Sequence, residues 1–193
     1  MSTKQNTIGF YKELTVKKRI IYLLDHYKHR EYYEESQRRY IEGMIADIRA
    51  YERNRNEELG VRIMSGGSMS DITSAAAEES IKIEKAFIAG AITETLIKDK
   101  DDRELILEAI DEWLVMKDDY ASLDRVMWKL PPNEHDLIMA YLSKEKDYHD
   151  IAKEYMIEFA SAKKKVHRIR ENIGRMVSPD IERHGLRWSK VAG

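Results

Sequence analysis

Apolar residues recur at helical steps of three and four through most of the chain, and no segment shows the period-two alternation that is typical of strands. The first helical segment covers residues 15–53, where no Pro occurs and Gly43 is the only Gly. Its apolar stripe is interrupted over residues 28–39, so the pattern fits either two helices or one long bent helix. The apolar positions are Ile20, Leu23 or Leu24, Tyr27, Tyr40 or Ile41, Met44, Ile45, Ile48 and Tyr51.

A Gly- and Ser-rich segment predicts a flexible linker at residues 60–71, because a Gly pair among serines disfavours a helix. After it we expect a helix that Asp71 or Thr73 caps and that ends at the charged cluster of residues 98–102. The apolar positions of this helix are Ile81, Ile83, Phe87, Ile88, Ala91, Ile92 and Leu96.

Two further helices are expected before residue 130. Asp101, with Glu104 three residues later, predicts a capping box that begins the first of them. The second is a short helix over residues 120–129. The apolar positions are Leu105, Ile106, Ala109, Ile110, Trp113 and Leu114 in the first, and Leu123, Val126, Met127 and Trp128 in the second.

The C-terminal part predicts a helix-turn-helix at residues 130–177. Pro131 and Pro132 end one helix and begin the next, because Pro is tolerated in a first helical turn. A short second helix runs from Tyr148 to about Tyr155, and a tight connection over residues 156–158 leads into the last helix. The expected buried positions are Leu137, Ile138, Tyr141 and Leu142 in the first helix, and Ala162, Val166, Ile169, Ile173 and Met176 or Val177 in the last.

Charge is unevenly distributed along the chain, although the net charge is only −2. Residues 98–125 carry ten Asp and Glu against five Lys and Arg, a local net of −5, whereas residues 160–175 carry six Lys and Arg against one acid, a local net of +5. A basic segment on a nearly neutral protein indicates a localised site for a polyanion, and a solvated helix face is the alternative reading.

The composition supports a folded helical protein without cysteine chemistry. The chain has 42% hydrophobic residues, three Pro in 193 residues and no Cys, which excludes disulfides, thiol nucleophiles and cysteine-bound metals. No apolar run approaches the roughly 20 residues of a membrane span, and the first residues lack a signal-peptide pattern. We therefore expect a cytoplasmic protein.

The run LPPNEHDLIMAYLSKEKDYHDIAKEYMIEFASAKKKVHRIRENI resembles region four of sigma factors, which reads promoter DNA. The whole chain is similar to the sigma-like phage regulators of the RinA and ArpU kind, which act in phages and prophages and switch on late, packaging or lysis genes. The residues that carry the resemblance are Leu130, Pro131, Tyr141, Leu142, Tyr148, Ile151, Ala152, Ile157, Lys163, His167 and Arg168.

The chain departs from this family at two positions. Met156 stands in the turn where the family usually has Gly, so a left-handed backbone there would be strained. Glu158 stands where the family usually caps the recognition helix with Ser or Thr, and its carboxylate would repel a nearby phosphate.

If the family's docking pose applies, one face of the last helix contacts double-stranded DNA. Base edges are then best reached by Ala160, Ser161, Lys164 and Arg168. Phosphates are held mainly by Lys163, Lys165 and Arg170, and His167 contacts phosphate or solvent.

Other candidate chemistries are weaker. His26 and His29 have a spacing that could bind metal, but a third ligand does not follow, and the acidic residues 99–124 lack the repeated spacing that coordination requires. The six Tyr between Tyr22 and Tyr51 favour a core or a dimer interface over base stacking. No phosphate-binding loop, nucleophile elbow, kinase or zincin motif is present, so we expect no enzyme, cofactor, catalytic residue or metal.

The sequence thus predicts an all-α fold in which an extended N-terminal helical region precedes a C-terminal helix-turn-helix domain. The expected boundaries are 1–59 for the N-terminal helices, 60–71 for the linker, 72–129 for the central helices, 130–177 for the helix-turn-helix and 178–193 for a tail. The predicted function is a phage or prophage transcription regulator, a late-gene activator, whose N-terminal helices dimerise or contact RNA polymerase. A DNA-packaging protein like a small terminase subunit and a module that binds polymerase or another regulator remain the alternatives.

Overall fold

The computed structural model describes residues 9–58 and 69–188, and the fold is all-α, as the sequence predicts. The described residues contain no strand, and none of their helices is both long and apolar enough to cross a membrane. The helices are α1 (Val16–His26), α2 (Arg30–Glu58), α3 (Met69–Ala89), α4 (Lys100–Met127), α5 (Pro132–Leu142), α6 (Tyr148–Glu154) and α7 (Phe159–Trp188).

Contacts divide the chain into two compact units whose boundaries fall inside α2 and inside α4. Unit 1 comprises Met1–Glu34 and Val115–Gly193, and unit 2 comprises Glu35–Leu114. These boundaries do not coincide with the predicted ones at residues 59, 71 and 129. The N-terminal helix α1 therefore packs in the same unit as the helix-turn-helix.

The first helical segment is two helices rather than one bent helix. Thr15 begins α1, since its Oγ1 accepts a hydrogen bond from the Lys18 N–H at 3.4 Å. A 3-10 turn, Tyr27–His29, then separates α1 from α2. The interruption of the apolar stripe after residue 28 therefore marks the start of a new helix.

Helix α3 ends earlier than predicted. The expected end at residues 98–102 is wrong, because Gly90 adopts a left-handed backbone with φ of 60° and the Ala91 N–H folds back onto the Ala86 carbonyl at 3.3 Å. Glycine is favoured at this position after a helix because it has no Cβ to clash. Ala91, Ile92 and Leu96 consequently lie outside the helix.

The beginning of α3 also differs from the prediction. Residues 69–71 already belong to α3, whereas we expected Asp71 or Thr73 to cap it. The rest of the predicted linker, residues 60–68, lies outside the described residues.

Helix α4 is continuous where two helices were predicted. Its cap is Asp99, whose Oδ1 accepts the N–H groups of Asp101 at 2.9 Å and Asp102 at 3.2 Å, so the predicted capping box of Asp101 and Glu104 is wrong. The predicted short helix over residues 120–129 is the last part of α4, which ends at Met127.

Unit 2 has its own core of aliphatic and aromatic side chains. Phe87 of α3 meets Trp113 of α4 edge-on, with ring centroids 5.2 Å apart. Arg38 of α2 lies over the Phe87 ring and forms ion pairs with Glu42 and Glu84. The buried residues include Ile41, Ile45, Ile97, Ile106 and Ile110.

Unit 1 is joined at its centre by a buried carboxylate, that of Asp119 in α4, which has no exposed surface. Its Oδ2 accepts a hydrogen bond from the Tyr11 hydroxyl at 2.8 Å and pairs with Arg19 of α1. Its Oδ1 lies 2.8 Å from Nδ1 of His184 in α7. Burial raises the pKa of Asp119, and Arg19 acts in the opposite direction. One carboxylate thus connects three helices and the segment before α1.

Replacing Asp119 with Ala should lower the free energy of unfolding by about 3–5 kcal/mol, because removing one partner of a buried ion pair leaves the other charge uncompensated. Urea denaturation measures this loss. The control is Asp118→Asn on the neighbouring exposed position, which we expect to change stability by less than about 0.5 kcal/mol. Equal stability of Asp119→Ala and wild type would contradict this role for the carboxylate.

Candidate nucleic-acid interface

Helices α5, α6 and α7 form the predicted helix-turn-helix within residues 130–177. Helix α5 begins at Pro132, as expected from the two prolines, and α6 begins at Tyr148. The buried residues of α5 and α6 are Leu137, Ile138, Leu142 and Ile151. Tyr141 was also predicted to be buried, but it is only partly so, and its hydroxyl lies 2.7 Å from that of the half-buried Tyr148.

The apolar stripe of α7 is the predicted one. Ala162, Val166, Ile169, Ile173 and Val177 are at most 1% exposed, which resolves the choice between Met176 and Val177. The stripe then continues to Ile181, which is also fully buried. Residues 178–188 therefore belong to the helix, where the sequence predicted a tail, and Pro179 lies inside it.

A capping box fixes the start of α6. The Asp147 Oδ1 accepts the N–H groups of His149 at 2.7 Å and Asp150 at 3.0 Å, and Asp150 accepts the Asp147 N–H at 3.0 Å. The N–H of Asp150 and that of His149 lower the pKa of Asp147, because they stabilise the ionised carboxylate. This box was not recognised from the sequence, although Asp147 and Asp150 have its spacing.

The turn between α6 and α7 contains the strain that the sequence predicts. Met156 has a φ of 48° and is 93% exposed. The Ile157 N–H donates to the Ala152 carbonyl at 2.9 Å and closes the end of α6. Glu158 then begins α7, because its carbonyl accepts the N–H groups of Ser161 and Ala162 at 2.9 and 3.0 Å. Met156 thus lies in the turn and Glu158 at the start of α7, as the sequence predicts.

Six of the eight predicted contact residues lie exposed on α7. These are Ala160, Ser161, Lys163, Lys164, His167 and Arg168. The exposure of these six residues follows from the helical period, because the buried stripe fixes which positions point away from the core. The exposed face therefore carries three permanent cations in its first ten residues.

The other two predicted residues have partners within the protein. Lys165 places its Nζ 3.9 Å from the centroid of the Tyr155 ring. Arg170 forms an ion pair with Asp25 of α1, with 2.6 Å between Nη2 and Oδ1. Both are only partly exposed, and their contacts link α7 to the turn after α6 and to α1.

Helix α1 covers one flank of α7 beyond Arg170. A Cβ placed on Gly174 would lie 3.6 Å from Cγ2 of Ile20, and one on Gly185 would lie 3.5 Å from Nη1 of Arg19. An open groove of about 1140 Å³ remains between the two helices. On α7 the lining of this groove begins at His167, so Ala160, Ser161, Lys163 and Lys164 lie before it.

Two carboxylates beside this face were missed by sequence reasoning. Glu134 of α5 lies 3.9 Å from Nη2 of Arg168, and Glu171 lies 3.3 Å from Nε2 of His167. Glu171 follows His167 by four residues, so the helical period could have found that pair. Glu134 is 34 residues before Arg168, and only the packing of α5 against α7 brings them together.

The start of α5 is held on two sides. The Tyr155 hydroxyl donates to the Asn133 carbonyl at 3.4 Å. Trp128 stacks on His135 with ring centroids 5.2 Å apart, and the indole is 79% exposed. The backbone around Glu134 is therefore fixed relative to the turn and to α7.

The other candidate residues do not gather into a site. Within residues 9–58 and 69–188, no group of three or more His, Asp or Glu is arranged to hold a metal ion. His26 Nδ1 lies 2.8 Å from the Tyr22 carbonyl, and His29 is exposed. Of the six tyrosines, Tyr32, Tyr40 and Tyr51 are exposed, so they do not form one buried stripe.

The sequence matches no protein-family model, and comparison with curated proteins and with solved structures finds no significant match.

Met156→Gly should raise the free energy of unfolding by about 1 kcal/mol, because glycine adopts a left-handed backbone without the steric cost that Met156 carries. Urea denaturation at constant m value measures the change. Met156→Ala is the matched control, since it shortens the same exposed side chain and keeps the strain. If Ala stabilises the chain as much as Gly, the backbone strain is not the cause.

Asp147→Ala should speed amide hydrogen exchange at His149 and Asp150, because their shared acceptor is lost, while Asp147→Ser should retain part of the protection. The pKa of Asp147 is lowered in the folded protein, so the contribution of its carboxylate to the cap of α6 is fully present above the unfolded pKa of about 3.9. This contribution is lost as pH falls through the lowered native pKa. Protection that stays constant across this acidic range would contradict the capping role of the carboxylate.

Proposed function

We propose that this protein is a DNA-binding transcriptional regulator that places the first half of α7 in the major groove of double-stranded DNA. The observation that carries the proposal is the orientation of α7. Its apolar stripe is buried along its length, and its first turns expose Lys163, Lys164 and Arg168. A rigidly held helix with a cationic outer face is what major-groove docking requires.

The charge of this segment supports a polyanionic partner. No acid occurs from Phe159 to Arg170, while that range contains five Lys and Arg. Cations that neutralise phosphates release counterions from DNA, and this release drives binding at low salt. The carboxylates of Glu134 and Glu171 lie beside this face, and Glu158 directly precedes the segment.

The partners of each side chain suggest how the contacts are divided. Ala160, Ser161, Lys164 and Arg168 face outward and are assigned to base edges. Lys163 is assigned to phosphate. Lys165 and Arg170 contribute less to binding than the sequence suggested, because leaving Tyr155 and Asp25 would cost them existing interactions.

The resemblance to sigma region four and to sigma-like phage regulators supports a role at promoters. On this proposal the protein is a phage or prophage late-gene activator that acts in the cytoplasm beside RNA polymerase. Its N-terminal helices offer a surface for polymerase or for a second copy, and catalysis is not part of the function.

A protein-interaction module is the second candidate, and the two carboxylates beside α7 favour it. Glu134 and Glu171 reduce the positive charge of the exposed face, which weakens its attraction for phosphate. The absence of measurable DNA affinity at low salt would favour this candidate over DNA binding.

The double variant Lys164→Ala/Arg168→Ala should weaken binding to a promoter fragment from the protein's own genomic neighbourhood at least about tenfold, since a specific base contact is worth about 1–3 kcal/mol. Fluorescence anisotropy at about 0.15 M salt measures the dissociation constant. The control is Lys82→Ala, which removes an exposed cation from α3 in unit 2. Equal affinity of the double variant and wild type would refute the assignment of the recognition helix.

A further inference from the structure

The ion pair between Glu134 and Arg168 contributes little to the fold. The Arg168 side chain is 74% exposed and the pair is separated by 3.9 Å, and exposed pairs of this kind add little to stability. A carboxylate beside a cationic DNA-binding face would also weaken attraction for phosphate. The pair therefore has a cost for binding that its contribution to folding does not offset.

Glu134 is nevertheless held firmly in place. Its side chain is 23% exposed, and its N–H donates to the Pro131 carbonyl at 2.9 Å in the first turn of α5. The contacts of Tyr155 with Asn133 and of Trp128 with His135 fix the backbone on either side of it. Glu134 is therefore a fixed anion beside a long arginine side chain that is mostly exposed.

We propose that Glu134 is a positioning residue that orients Arg168 on the outer face of α7 and makes DNA binding selective for base sequence. This inference rests on the proposed DNA-binding function and adds a determinant of its specificity.

Orientation favours selectivity because a guanidinium held in place loses less conformational freedom when it reads a base edge. An arginine without this partner would reach any nearby phosphate equally well. Arg168 also presents a planar fork that suits the two acceptors of a guanine edge.

The charge of Glu134 also increases selectivity for base sequence. Its carboxylate lowers affinity for every duplex through repulsion of phosphates, and only a duplex that engages Arg168 correctly recovers this loss. Sequence-specific complexes are thereby favoured over non-specific ones, which depend on phosphate contacts alone.

Glu171 provides a matched control for charge. Its carboxylate lies beside the same face, but it is 68% exposed and its ion pair is with His167. Glu171→Gln therefore removes a negative charge near the DNA and leaves the ion pair of Glu134 with Arg168 in place.

The test compares two duplexes of equal length and base composition, one enriched from a random pool by the wild-type chain and one scrambled. The measured quantity is the dissociation constant for the scrambled duplex divided by that for the enriched duplex. We expect Glu134→Gln to bind the scrambled duplex more tightly, the enriched duplex no more tightly, and to lower the ratio at least about fivefold, within the range for one bidentate base contact. Glu171→Gln should strengthen both complexes and leave the ratio within twofold.

A double-mutant cycle separates positioning from a merely structural effect. If Glu134 acts through Arg168, then Glu134→Gln changes the ratio in the wild-type background and leaves it unchanged in the Arg168→Ala background. Thermal unfolding should be the same for Glu134→Gln and wild type.

An unchanged ratio in Glu134→Gln, or an equal fall in Glu171→Gln, would overturn the role of Glu134 and leave DNA binding intact. A wild-type chain that enriches no duplex would instead contradict the DNA-binding function, and this proposal with it.

Discussion

Unit 1 depends on the apolar stripe of α7. Six residues between Ala162 and Ile181 are at most 1% exposed, at steps of four, three, four, four and four. Because α1, α5 and α6 all contact α7, this stripe fixes the rotation of the helix about its axis. Fixing that rotation decides which side chains remain outside, and it places Lys164 and Arg168 there. The exposed cationic face is therefore a consequence of core packing.

The polar contacts divide α7 into a part that is held and a part that is free. From Arg170 onward the helix is attached to α1 by the ion pair with Asp25 and by the close approach at Gly174, and to α4 by the contact of His184 with the buried Asp119. Before Arg170 the partners of α7 side chains include Glu134 and Tyr155, and the Phe159 ring lies against Tyr148 and His149. A helix anchored along its second half can present its first half to a large partner without losing its position.

Periodicity predicted the elements that bury one regular stripe, and it located the starts of α5, α6 and α7 almost to the residue, although α7 continues to Trp188 beyond the predicted end at 177. It failed where a single backbone position decided the outcome, as at Gly90, which ends α3 by adopting a positive φ. It also divided α4, which is one continuous helix in which the charged Asp119 has three buried partners. The site residues followed from the helical face, but the partners of Arg168 and Arg170 come from distant helices and depend on tertiary packing.

Directed cleavage of DNA by a tethered iron chelate tests the orientation of α7 most directly, and the absence of Cys allows one label at a chosen position. The two label sites are Ser161→Cys on the exposed first turns and Glu182→Cys about 30 Å further along the helix, at 1.5 Å per residue. We predict a short cluster of cuts within an enriched duplex from the first label and none from the second. Equal cleavage from both, or cleavage from residue 182 alone, would contradict docking through the first half of α7.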